Sequence, residues 1–202
     1  MAALREVLFG NIARAHQRAN SALSLSKGRL PQYAAALALA FAGDMTHPQA
    51  LADDLDKRFP ESTLVQFNHL PSLRGQLAVI RNAPSKAVEA LRVATPYELG
   101  WYGPTAFTPA LYPIYIRGNA YLAAHQGREA AVEFQKILEH RGIVRNGTIG
   151  ALAHLQIARA YAMQGNSAKA KGAYQEFLTL WKDADPDIPI LKQAKAEYAK
   201  LQ

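Results

Sequence analysis

The side chains able to do acid–base or metal chemistry are few in this chain, and they are scattered along it. Its six histidines are His16, His47, His69, His125, His140 and His154, and no two fall three or four residues apart. Two imidazoles on one helical face would need that spacing to share a metal ion. His47, His125 and His140 fall near expected turns or helix ends, where an exposed or capping role is the expectation. Asp53, Asp54 and Asp56 form an acidic run. A calcium loop would need glycine and further oxygen ligands beside it, so a solvated helix face is the simpler reading. Asp183, Asp185 and Asp187 alternate like cation ligands, but Pro186 and Pro189 interrupt them and no closing glutamate follows. Turn and N-cap roles fit them better. There is no cysteine, hence no disulfide, thiolate metal site or cysteine nucleophile. Neither a glycine-rich dinucleotide loop nor a lysine-bearing phosphate loop occurs. The expectation is a chain that is not an enzyme and uses no metal or cofactor.

The elements that carry these residues read as helices. Alanine and leucine dominate, runs of β-branched residues are missing, and apolar side chains recur at helical spacing. The spacing predicts helices over about 3–9, 12–25, 31–42, 47–59, 61–81, 84–94, 111–124, 128–140, 149–164, 167–183 and 188–201. Thr46 is the expected cap of the fourth. Pro71 should kink or split the fifth. Residues 95–109, from Thr95-Pro96 through Trp101-Tyr102 to Pro109, form the longest irregular stretch, and 142–147 a second connector.

Two of these stretches repeat one another about forty residues apart. Gly118-Asn119-Ala120-Tyr121 leads to Ala130, Phe134 and Ile137; Ala158-Arg159-Ala160-Tyr161 leads to Ala170, Tyr174 and Phe177. Copies set in register from Arg29, Asn68, Leu111 and Ala151 place Ala36, Gly75, Gly118 and Ala158 at one shared position. A small residue there lets two helices approach closely. Turns are expected at Gly43-Asp44, Asn82-Ala83, near Gln126-Gly127 and at Gly165-Asn166. A partial copy with its turn at Gly10-Asn11 comes first. Such periodicity indicates a stacked helical array.

These copies resemble the tetratricopeptide repeat, a helix–turn–helix unit of about 34 residues. The resemblance implies an all-α, right-handed α-solenoid of antiparallel helix pairs over 1–202. A partial repeat covers 1–28. Repeats follow at about 29–67, 68–110, 111–150 and 151–184, with a capping helix at 188–201. It also implies a concave face lined by the first helix of each pair. The first full copy would supply Tyr33, Leu37 and Phe41, and the second His69 and Gln76. The third would supply Tyr112, Tyr115, Asn119 and Leu122, and the fourth Leu152, Leu155, Arg159 and Met163. Asn119 matches the family asparagine that holds a bound peptide backbone. The basic positions that clamp a C-terminal carboxylate are occupied here by Tyr115 and Ile116. Each tyrosine has two open readings, packing or ligand contact, and the 95–109 connector is a second candidate binding surface.

Further phrases, Ala50 to Pro60, Thr63 to Phe67, Ala94 to Leu99 and Trp181 to Leu191, resemble the C-terminal repeat region of bacterial serine/threonine protein kinases. The implied function is a scaffold or regulatory sensor module for protein–protein interaction, binding a peptide or helix in its groove. The parent would be a signalling kinase, although His140-Arg141-Gly142 has glycine where a kinase catalytic loop needs aspartate. Net charge is +7, with no single basic arm or stripe. Nucleic-acid binding through the basic surface is therefore the second reading, after a protein partner. Oligomerisation stays open. The longest apolar runs, such as Tyr33 to Ala42, fall short of the roughly 20 residues of a membrane span. No signal segment follows Met1. The expectation is a cytoplasmic chain, with membrane attachment left to a longer parent.

Overall fold

The computed structural model describes residues 1–100 and 111–201, and all regular structure among them is helical. Five helix pairs follow one another. They are α1 (Ala2–Leu8) with α2 (Ile12–Leu25), α3 (Arg29–Phe41) with α4 (Thr46–Arg58), and α5 (Leu70–Ile80) with α6 (Pro84–Leu91). Then come α7 (Tyr112–Ala123) with α8 (Gly127–Glu139) and, after the single turn α9 (Arg141–Val144), α10 (Thr148–Met163) with α11 (Ser167–Leu180). Helix α12 (Pro189–Ala199) comes last and buries Leu191 and Ala194. Residues Trp101 to Pro109 of the expected connector lie outside the described residues.

One device makes the turn inside every pair. Gly10, Gly43, Asn82, His125 and Gly165 all take positive φ. At the first turn Gly10 N–H donates to Val7 O and Asn11 N–H to Glu6 O; equivalent bonds recur at the other four. This left-handed ending satisfies carbonyls that the helix leaves open. Glycine serves it without strain, and asparagine is the next best choice. The fourth turn departs from expectation by one residue. His125, not Gln126, takes the left-handed conformation, because Gly127 already belongs to α8. There it packs against the Ala160 carbonyl, to which an added Cβ would approach within 2.8 Å.

Other local expectations are also adjusted. The cap of α4 is supplied by Asp44, whose Oδ1 accepts from the Thr46 and His47 backbone N–H groups. Pro71 is absorbed by a wide π-turn over Val65–His69, after which α5 runs regularly. The 142–147 connector begins inside the short helix α9.

Small residues set the distance within pairs. A Cβ on Gly75 would lie 2.8 Å from Leu91 Cγ, and one on Gly118 would lie 2.6 Å from Phe134 Cε1 and Cζ. Leu91 and Phe134 occupy corresponding places in their copies, so the two glycines receive the same kind of partner. Ala36 and Ala158, the matching residues of the other copies, are fully buried.

Each long helix packs on the next long helix in the chain, α6 on α7 and α8 on α10 included. In addition α3, α5, α7 and α10 touch in sequence and form an inner row, and α1 touches both α3 and α10. The row therefore closes on itself. The Ile190 N–H donates to Phe9 O at 3.1 Å, and the Phe9 ring meets Trp181 edge-on with centroids 4.9 Å apart. Gly10 packs against Pro189 at this junction.

One buried charge cluster ties α7 of the inner row to α8 and to the segment after α6. Arg117 of α7 donates to both carboxylate oxygens of Glu98 at 2.9 Å and to Glu133 Oε2 at 2.6 and 3.0 Å. Lys136 completes the set on Glu133 Oε1 at 2.8 Å. Arg117, Glu98 and Glu133 are all buried. Two cations balance two anions, the condition under which such burial is tolerated. The cluster fixes the segment after α6 onto α7 and α8.

Candidate functional site

Residues expected on the concave face mostly lie inside the molecule. Tyr33, Leu37, His69, Gln76, Tyr112, Tyr115, Leu152 and Leu155 are buried on the inner row. Phe41, Asn119, Leu122 and Arg159 are half-buried, and Met163 is exposed. The structure brings several of them together. Tyr33 of α3 and His69 stack with centroids 3.8 Å apart and planes 9° from parallel. Phe41 leans on Tyr112 and Tyr115 at 6.5 and 6.3 Å. The Tyr115 hydroxyl accepts from Gln156 Nε2 at 3.2 Å.

Arg159 is engaged by its own chain. Its Nε and Nη2 donate to Glu197 Oε2 and Oε1 of α12 at 2.8 and 2.9 Å, and Tyr174 donates to the same carboxylate at 2.9 Å. This forked pair carries both geometry and charge. Burial alone would raise the Glu197 pKa, but the Arg159 bonds and charge bring it below its ordinary value. Arg159 thus holds the last helix in place.

Burial also controls the other inner ionisable groups. It pushes the His69 pKa down to about 3, with a smaller push from Arg29, so the ring is neutral at physiological pH. It raises the phenols of Tyr112 and Tyr115. Three buried polar atoms on this face, His69 Nδ1, Gln76 Oε1 and Asn119 Oδ1, have no hydrogen-bond partner among the described residues. The acidic residues flagged in the sequence serve as local anchors. Asp54 accepts from Gln32 and Arg58, Asp56 from Gln66 and Arg74, and Asp185 from the Asp187 backbone.

An open groove of about 1060 Å³ lies elsewhere. One wall is the face of α11 carrying Gly172, Gln175, Glu176 and Thr179, ending at Leu180 and Trp181. The opposite wall is the end of α8 and α9, with Ile137, Arg141, Val144 and Arg145. Ala151 and His154 of α10 form part of its lining, and α1 contributes Arg5 and Phe9. Gly150 lets Val144 settle onto α10. His154 Nδ1 meets Glu176 Oε2 at 2.9 Å. Arg145 stands at the rim with φ 49° and ψ −127°, a backbone conformation suited to glycine. Leu180 is 60% exposed on the lip.

Sequence reading missed this groove, because its walls come from both ends of the chain and from a helix of four residues. The Arg117 cluster was missed for a similar reason: its carboxylates come from two separate segments. One signal was present. Gly172 interrupts a good helix-forming run, at a place where the repeat register demands nothing small. Comparison of the chain with protein-family models, with curated proteins and with solved structures gives no match in any of the three.

Proposed function

We propose that this chain is a right-handed α-solenoid of the tetratricopeptide type that binds a polypeptide segment, as a scaffold or regulatory module. The observation that carries the reading is the groove between α9 and α11. Its lining mixes apolar side chains, among them Phe9, Ile137, Val144 and Trp181, with polar ones such as Arg141, Gln175 and Thr179, as polypeptide sites do. The inner row is a weaker candidate, since most of its side chains already pack on one another. The kinase-tail resemblance of the Ala50 to Pro60 and Trp181 to Leu191 phrases supports a signalling setting. Nucleic acid is the second reading, favoured by the net charge of +7 alone.

A displayed library of random helical peptides tests the proposal. Selected peptides should bind saturably and lose at least about tenfold in affinity on Leu180→Asp, a loss of about 1.4 kcal/mol. The melting temperature should stay unchanged, because an exposed side chain contributes little to stability. Met163→Asp, on the inner row, should leave binding intact. Selected peptides that ignore Leu180→Asp but respond to Met163→Asp would move the site to the inner row. Duplex oligonucleotide binding that falls steeply with salt, without any peptide binding, would establish the second reading instead.

A further inference from the structure

Among the described glycines of the long helices, Gly172 is the one with no internal reason to be glycine; Gly142, in the single turn α9, also has open space where a Cβ would stand. Gly75 and Gly118 make room for Leu91 and Phe134, Gly127 for the Ala160 carbonyl, and Gly150 for Val144. A Cβ on Gly172 would meet nothing within 4 Å. A mid-helix glycine destabilises its helix relative to alanine, and it commonly marks a close approach by another backbone. Here the space over it is the groove itself.

The charges around that space are one-sided. Arg5, Arg141 and Arg145 line it, whereas Glu176, the one carboxylate in its lining, already meets His154. Arg5 and Arg141 are exposed, and neither forms an ion pair among the described residues. The same lining holds Phe9, Val144 and Trp181, and Leu180, also in it, is exposed.

We infer that the groove takes an acidic amphipathic helix from a partner protein, which crosses α11 in close contact at Gly172. Its apolar stripe covers Leu180, Trp181 and Phe9, and its carboxylates face Arg5 and Arg141. Arginine suits this role because its fork accepts a carboxylate with two bonds. The absent side chain at Gly172 lets the two helix axes draw together, as small residues do within the array itself. The apolar floor and Glu176 favour a polypeptide over a nucleic-acid backbone, which would offer phosphates without an apolar face. This inference rests on the polypeptide-binding reading of the groove.

The test uses two synthetic 14-residue helices of about equal helicity, one built from Leu, Ala and Glu and the other with every Glu replaced by Lys. Fluorescence anisotropy follows their binding to the full chain. The acidic helix should bind at least about tenfold tighter than its basic counterpart. Arg5→Glu with Arg141→Glu should abolish that preference. Gly172→Ala should raise the melting temperature yet weaken the acidic helix at least about fivefold. Equal binding of both helices, each weakened by Leu180→Asp, would overturn the charge assignment and leave the polypeptide groove standing. Failure of both helices to bind, or binding indifferent to Leu180→Asp, would overturn the groove reading with it. Undiminished binding by Gly172→Ala would remove the close crossing. Full displacement of the acidic helix by duplex oligonucleotide, sensitive to the same arginines, would make the site a phosphate surface and reject the inference.

Discussion

Gly118 and Gly172 each stand within a helix of a consecutive pair, and they answer to different demands. Around Gly118 every neighbour belongs to this chain: Phe134 fills the space, Tyr115 packs on Phe134 at 5.9 Å, and Arg117 beside it holds two buried carboxylates. Around Gly172 the space is open, and Leu180 at the end of the same helix is exposed. The first region uses its residue types to hold the fold. The second carries Gly172, a residue type that weakens its helix and makes room for no neighbour. The difference teaches that a feature shared with the repeat register reports on stacking. A feature outside the register is the one to examine for a partner.

The largest test of the inner region removes the Arg117 guanidinium. Arg117→Met leaves Glu98 buried without a cation, and breaking a buried pair from one side costs roughly 3–5 kcal/mol. Urea unfolding should show that loss as a lower midpoint. A change below about 1 kcal/mol would mean that Glu98 escapes to solvent and the cluster does not bind the helices together. Next in size, Gly118→Leu should cost roughly 1–3 kcal/mol by overpacking against Phe134. The same replacement at Gly172, where a Cβ meets nothing, should raise the unfolding midpoint slightly through helix propensity, and equal losses at both sites would erase the contrast.

The smallest effect is a pH dependence from His69. Its folded pKa of about 3 lies below the ordinary 6.5. Between those values the unfolded chain takes up a proton that the folded chain refuses. Stability is therefore complete above about pH 6.5 and falls as pH drops through the window. Between pH 7 and pH 5 this group alone contributes a loss of about 2 kcal/mol. His69→Phe keeps a ring on Tyr33 and should remove that share of the loss. Identical pH profiles for the two proteins would show that the imidazole reaches water.

The fold was legible where one residue type enforces one geometry. Gly10, Gly43 and Gly165 announce left-handed turns, and Asn82 is the next most permissive choice. His125 was displaced by one because Gly127 is the more conspicuous residue, yet it is needed for helix contact instead. The small positions Gly75 and Gly118 were readable from their recurrence; that Leu91 and Phe134 fill the space beside them is shown by the structure. The candidate site was less legible. Arg159 stands where a groove residue is expected, but its fate is decided by Glu197 on another helix, and no local spacing reveals that pairing. Tyr33 and His69 lie on the anticipated face, yet closure of the inner row turns that face into interior. The groove between α9 and α11 depends on α1 reaching α10, a contact with no local pattern in the sequence.

The seam between Phe9 and Ile190 also bears on the order of assembly. It joins stretches separated by nearly the whole polypeptide, and such loop closure costs entropy before its contacts can form. Neighbouring hairpins, whose contacts are local, condense first and the seam locks afterwards. Because Arg5 and Phe9 line the groove from the first helix, a molecule in which that junction has not formed has helices but an incomplete groove.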